Sequence, residues 1–369
     1  MLVDHASPDV CRALAEGLAC AENVPHYMVH TLANDSSDVA SIILARSPVL
    51  SDAELVDCVA TADGFAQSAI AHRPWVPAPV CAALAEVGAS EALIALASNP
   101  GADLLEFSIR RMIERQGHDE DLRAALLSRP NLPASIRSDL AGAAAVALAA
   151  RMKERAGLPQ EKTECLMRDA RERAIVEIVA ETASDTKEMV NLVAHLRRSK
   201  QLTAGLLLRG LLCGNKTLFE FALSELSGLA LRRVAGVVAK GKGAGFGALY
   251  RKARMPTRLL PVFVACLEAL KTYGLPGPMT ARLQGPLIDS VLRVSISISD
   301  GELDYLISAL RRLEAEAARE DAREFQLGAV DVRRLPAVSH SAPATLASTA
   351  MISDIVIDIE AFEAALMAA

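Results

Sequence analysis

Residues Gly236-Val237-Val238-Ala239-Lys240-Gly241-Lys242 carry the GxxxxGK spacing of a loop that wraps a phosphate in backbone amides and sets a lysine against it. Such chemistry needs a strand before the loop and a magnesium-binding hydroxyl after it. Here Leu229–Val238 reads as helix, Gly243 stands in the hydroxyl's place, and no acidic metal motif on a strand follows. The stretch is therefore read as a glycine turn between two helices. Its surroundings carry a broader signal. No acidic residue occurs between Glu225 and Glu268, while Arg232, Arg233, Lys240, Lys242, Arg251, Lys252, Arg254 and Arg258 supply eight positive charges, with Phe246 and Tyr250 interleaved. These are candidate contacts for an anionic ligand, nucleic acid or an acidic partner, all of which offer phosphate or carboxylate to a cationic surface. Charge runs are usually solvated faces, so a plain exposed face, or docking onto the chain's own acidic half, is the default reading.

Other residues with chemical potential are scattered. His26 and His30 share a helix face at i, i+4, but neither an intervening catalytic Glu nor a third ligand accompanies them, so no metal site is read. Seven cysteines (Cys11, Cys20, Cys58, Cys81, Cys165, Cys213, Cys266) lie far apart with no CxxC pair, and read as buried, reduced thiols. No cofactor motif and no convergent catalytic set is written in the sequence, although charge-relay groups form in space and an enzyme stays open.

The elements that must position all of these are repeats. Leu44-Ala45-Arg46-Ser47-Pro48, Ile70-Ala71-His72-Arg73-Pro74, Leu96-Ala97-Ser98-Asn99-Pro100 and Leu126-Leu127-Ser128-Arg129-Pro130 share one signature, and Leu18-Ala19-Cys20-Ala21-Glu22 fits the same frame with Glu for Pro. Two residues after each anchor comes Val24, Leu50, Val76, Ala102 or Leu132, followed by Pro25, Ser51, Pro77, Asp103 or Pro133, which suit a helix start. Apolar residues then recur on one helical face: Val29, Leu32, Ala33; Leu55, Cys58, Val59; Cys81, Leu84, Ala85. In the fourth unit Arg110 and Arg111 interrupt that face; Leu105, Ile109, Met112 and Ile113 form a shifted stripe, and the four extra residues are expected to lengthen the helix by a turn. Each proline ends the second helix of its unit, lacking an N–H and clashing with the turn before it. A unit this short cannot bury its stripe alone, so units must stack.

The Arg73-Pro74-Trp75-Val76-Pro77 and Arg129-Pro130-Asn131-Leu132-Pro133 segments resemble leucine-rich-repeat-variant units, whose helical arrays are similar to armadillo and HEAT solenoids. The resemblance implies a right-handed α-solenoid of short helical pairs, followed by a second helical domain, in an all-α chain. The anchor loops then offer Arg46, His72, Arg73, Trp75 and Arg129 as candidate partner-binding residues.

The expected organisation is an array over 1–145, a charged connecting helix or hinge over 146–184, a helical domain carrying the basic patch over 185–327, a flexible Pro/Ser/Thr linker over 328–350 and an amphipathic tail over 351–369. Asp185 to Glu188 reads as a helix start, with Met189, Leu192, Val193 and Leu196 facing inward. Ser299 to Glu302 reads as a capping box before a helix reaching about Phe325, which packs on the domain or pairs with its copy in a homodimer. The blocks His195–Arg209, Phe219–Leu229 and Gly245–Ala253 resemble a bacterial, mostly alphaproteobacterial family catalogued as domain of unknown function 2336; that resemblance implies a helical fold and brings no activity, substrate or site residues.

Charge divides the chain: 9 basic and 19 acidic residues in 1–150, 22 and 12 in 151–280, and 8 and 14 in 281–369. Such asymmetry bears on partners and docking rather than fold. Met1–Ala15 lacks the pattern of a signal peptide, the apolar runs Leu140–Ala150 and Leu259–Leu267 are too short to span a bilayer, and the thiols suit a reducing compartment, so a cytoplasmic protein is expected. The favoured function is a non-catalytic interaction scaffold for an unknown protein or peptide partner; the alternative is a regulatory module that holds an anionic ligand or nucleic acid on 232–258.

Overall fold

Proline punctuation sets the helix boundaries. In the computed structural model, which describes residues 7–157, 159–241, 243–273, 283–297, 310–319 and 322–323, the first nine helices are α1 (Pro8–Leu18), α2 (His26–Ala33), α3 (Ser37–Arg46), α4 (Asp52–Thr61), α5 (Gly64–Ala71), α6 (Ala78–Val87), α7 (Ser90–Ser98), α8 (Glu106–Gln116) and α9 (Glu120–Leu127). Every regular element among the described residues is helical. Helices α3, α5, α7 and α9 stop two or three residues before Pro48, Pro74, Pro100 and Pro130. Pro25, Ser51 and Pro77 are N-caps, and Ser51 forms a reciprocal capping box with Glu54.

The fourth unit departs from its sequence reading. The Val76 amide donates to the Gly101 carbonyl and the Asp103 amide to the Val76 carbonyl, which holds the chain extended past Asp103. Leu105, not Asp103, is therefore the N-cap of α8, and its side chain is exposed while Ile109, Met112 and Ile113 are buried. α8 has 11 residues against 10 in α6, so most of the added length lies outside the helix.

Two rows result. α1, α3, α5, α7 and α9 pack in series, and so do α4, α6, α8 and α10 (Ala134–Ala156). Polar staples make equivalent helices run parallel. At the starts of the second helices Ser37 donates to Asp63, and Ser90 Oγ donates to Asp119 at 2.6 Å. At the starts of the first helices His26 meets Glu54 at 2.7 Å and Ser135 Oγ donates to Glu106 at 2.6 Å. Val29, Leu32, Leu55, Val59, Cys81, Leu84 and Ala85 enter one continuous core between the rows, each large apolar side chain contributing about 1.5–3 kcal/mol.

α10 turns through the left-handed Gly157 toward α11 (Gln160–Thr182) and packs on it. Ala134 belongs to a second core, whereas Ile136 and Leu140 belong to the array's, so one helix serves both. The second core gathers α11, α12 (Thr186–Arg198), α13 (Ala204–Leu212), α14 (Lys216–Ser227), α15 (Leu231–Lys240), α16 (Ala244–Lys252), α17 (Leu260–Tyr273), α18 (Gly285–Ser297) and the helical segment 310–319. Asp185 caps α12 by accepting from the Lys187 and Glu188 amides, and Met189, Leu192, Val193 and Leu196 are buried as their spacing predicts. Glu188 does not turn back on its own cap. It accepts the Ala134 amide at 3.0 Å, satisfying the start of α10, whose N-cap Pro133 has no side-chain donor or acceptor.

Phe219, Phe246, Tyr250 and Phe263 stack at this core's centre, with Phe219 and Phe263 centroids 5.3 Å apart and the Tyr250 hydroxyl donating to the Pro256 carbonyl at 2.9 Å. The segment 310–319 buries Leu310 and Ala317, and its Glu316 pairs with the buried Arg209 and, at 3.4 Å, with Arg173. The proposed cap at Ser299–Glu302, the linker 328–350 and the tail 351–369 lie outside the described residues. The elements above all belong to one compact unit, Met1–Asp321.

Candidate binding surfaces

From Pro74 onward, the residue before the anchor proline builds a ladder. Arg73 donates to the Leu44 carbonyl at 2.6 Å and the Ser47 carbonyl at 2.8 Å, closing the end of α3 one unit back. Asn99 donates to the Ala71 and Arg73 carbonyls at 2.8 and 2.7 Å. Arg129 donates to the carbonyls of Ala97, Asn99 and Ala102 at 3.1, 2.9 and 3.0 Å. Each rung satisfies orphan carbonyls at the end of the previous unit's second helix. Burial pushes the Arg73 guanidinium below its ordinary pKa, an effect that Asp52 opposes. Of the predicted partner-binding residues, Arg73 and Arg129 are thus half-buried rungs, and their guanidinium groups are occupied by the array itself. Arg46 is exposed, and His72 is exposed with its Nδ1 2.7 Å from the Ser68 carbonyl.

Trp75 stays on the outside of this ladder, 62% exposed. The 74–76 loop that carries it is held against 101–103, so closely that a Cβ on Gly101 would stand 1.9 Å from the Pro74 carbonyl oxygen. Immediately after that bridge, Leu105 is 54% and Phe107 66% exposed. Sequence periodicity assigns Leu105 inward and is silent on Phe107; the signal for both is the two-residue shift of the α8 start.

The basic segment forms the plain exposed face that is one half of its default sequence reading. α15 buries Val234 and Val238 and exposes Arg232, Arg233 and Lys240, while α16 and the following turn expose Arg251, Lys252, Arg254 and Arg258. Among the described residues no carboxylate pairs with Arg232, Arg233, Lys240, Arg251, Lys252 or Arg254. The cations face solvent; docking on the acidic array is not what covers them. Phe246 and Tyr250 are buried, so they offer no stacking platform beside the charges. The phosphate-loop spacing is likewise dissolved by the fold. Gly236 lies inside α15, Gly241 ends that helix at φ 69°, and Lys271 Nζ donates to the Lys240 carbonyl at 2.5 Å. Lys242 lies outside the described residues.

A cleft that sequence reading missed opens where the array meets the second core. Arg110 and Glu114 of α8, Asp139, Gly142, Ala143 and Val146 of α10, Arg171 of α11 and His195 of α12 line about 390 Å³, together with Ser199 and Gln201. His195 Nε2 lies 2.7 Å from Asp139 Oδ1, and Arg110 Nε lies 3.5 Å from Asp139 Oδ2. Arg110 also donates to Glu106 at 2.7 Å. These residues are separated by up to about ninety positions and share no periodicity, which is why no motif announces them.

His26 and His30 stack 6.3 Å apart, and among the described residues no group of three His, Cys, Asp or Glu is placed to hold a metal. Cys11, Cys58, Cys81, Cys213 and Cys266 are buried thiols in no disulfide, and burial pushes the Cys81 and Cys266 thiols up to about 12. Cys20 is exposed and Cys165 half-buried, so for these two the sequence expectation of burial fails. Among the described residues no helix is long and apolar enough to cross a membrane. Neither a curated protein nor a solved structure matches the chain, and a family model described as an uncharacterised protein conserved in bacteria (DUF2336) matches residues 39–295.

Proposed function

We propose that this chain, which belongs to that family of uncharacterised bacterial proteins, is a non-catalytic scaffold that binds a protein or peptide partner along the anchor-loop edge of its repeats. The observation that carries the reading is Trp75, on a loop hydrogen-bonded to 101–103, with Leu105 and Phe107 at the start of α8, all three left exposed beside the Val76–Ala102 bridge in sequence. Large aromatic side chains presented on a pre-ordered backbone are what interface hot spots are made of, and truncating one costs about 2 kcal/mol or more of affinity. Stacked helical repeats suit such a role because they offer an extended surface.

A photo-reactive amino acid at position 105 in the full-length protein tests this. Irradiation in cells is expected to trap one protein, to lose it in Trp75→Ala/Phe107→Ala, and to trap nothing from position 190, an equally exposed site on α12. No adduct from 105, or the same adduct from 190, would overturn the proposal. The exposed cations Arg232, Arg233, Lys240, Arg251, Lys252 and Arg254, which pair with no carboxylate among the described residues, favour a second reading, a surface for an anionic ligand or nucleic acid. Retention on a heparin column should then fall steeply with salt and drop in Arg251→Glu/Lys252→Glu/Arg254→Glu; indifference to those changes removes it.

A further inference from the structure

The cleft between α8, α10, α11 and α12 contains a guanidinium that the fold does not use. Arg171 lies over Gly142, where an added Cβ would stand 3.6 Å from its Nε. That Nε is buried without a hydrogen-bond partner, and no described residue bonds or ion-pairs with the side chain. Leaving a charged donor buried and unmatched is costly, and native folds rarely do so without a reason. The other charges on the wall are already matched: Asp139 faces His195 and Arg110, and Glu114 pairs with Arg111 at 3.2 Å. These neighbours offset part of the repulsion that Asp139 and Glu114 exert on an incoming anion. Gln201 adds a buried amide oxygen with no partner, and an amide lining the cleft can turn to offer either its oxygen or its nitrogen. Beside these polar groups Ile113, Ala143 and Val146 add apolar lining, with Val146 51% exposed.

We infer that this cleft binds a small organic anion, a carboxylate or phosphomonoester head held by Arg171 with an apolar body laid on Ile113, Ala143 and Val146. A planar guanidinium matches both heads through paired N–H donors. A volume of about 390 Å³ is at the small end of ligand sites, which suits a single-ring compound. The inference is independent of the anchor-loop surface.

Calorimetric titration of the full-length protein with benzoate, phenyl phosphate and inorganic phosphate tests it. Saturable binding is expected for at least one organic anion, and the better of the two identifies the head group. Inorganic phosphate, which cannot use the apolar lining, should bind at least about tenfold more weakly. Arg171→Gln should weaken binding by about tenfold or more, whereas Arg12→Gln, at an exposed side chain of α1 far from the cleft in sequence and in neither proposed surface, should leave it unchanged. Gly142→Leu keeps the charge but fills the cleft, and it replaces a helix-weakening residue by a helix-favouring one, so loss of binding there reports occupation of the site. Absence of saturable binding by both organic anions, equal binding of inorganic phosphate, or wild-type affinity in Arg171→Gln or Gly142→Leu would overturn the inference.

Discussion

Replacing Arg129 by Ala removes a donor that touches three carbonyls of the preceding unit, those of Ala97, Asn99 and Ala102. A hydrogen bond from a charged group contributes about 1.5–3 kcal/mol net, and a carbonyl left stranded in a half-buried site costs about 1–3 kcal/mol. The three bonds share one guanidinium and are not additive, so the expected loss is about 3 kcal/mol. At about 2 °C per kcal/mol for a large domain, the Tm should fall by about 6 °C. The assay is urea unfolding for the free energy and thermal unfolding for the Tm, both followed by fluorescence, because the only tryptophan, Trp75, precedes the bridge to Ala102 that Arg129 braces. Arg129→Lys should lie between wild type and Ala, since a single ammonium cannot span three acceptors in a plane. Arg46→Ala, on an exposed side chain for which the described residues provide no hydrogen bond or ion pair, should stay within about 0.5 kcal/mol. If Arg129→Ala costs no more than Arg46→Ala, the ladder is decoration and the reasoning fails.

Two further outcomes follow from the same array. Gly101→Ala should destabilise strongly, because its Cβ would meet the Pro74 carbonyl oxygen at 1.9 Å and neither partner is a side chain that can swing away; a Tm equal to wild type would contradict the paired loops. Glu54 is held down to about 2 by the Ser51 amide and hydroxyl and by His26, so its contribution is present above its free value of 4.5 and is lost as pH falls from there toward 2. Glu54→Gln should therefore cost about 1 kcal/mol at neutral pH and flatten the acid limb of the stability curve; parallel acid limbs in the two proteins would refute the assignment.

Much of the array was legible because its determinants are local. A proline ends a helix wherever it stands, and Pro25, Ser51, Pro77 and Pro133 begin helices where their types predict. The fourth unit was misread because what delays α8 is a pairing between loops of neighbouring units, Val76 with Gly101 and Asp103, which no window of sequence contains. The same limit explains the ladder. Arg73 and Arg129 look like exposed cations at loop tips, and only the neighbouring unit's carbonyls reveal their use. Phe246 and Tyr250 fall among cations in sequence, yet the 100° step of a helix sends them to the core while Arg251 and Lys252 point outward. The cleft was beyond reach, since Arg110, Asp139, Arg171 and His195 come from four helices.

The double duty of α10 has a consequence for how long the array can be. A stack of like units has no internal reason to stop, and a bare last helix is an invitation to another copy. α11 and α12 pack on α10, which gives its Ala134 to the second core and its Ile136 and Leu140 to the array's. What lies downstream of Gly157 thus works as a terminator: severing the chain there would strip that side of α10 and turn a finite stack into a sticky end, prone to grow by end-to-end addition.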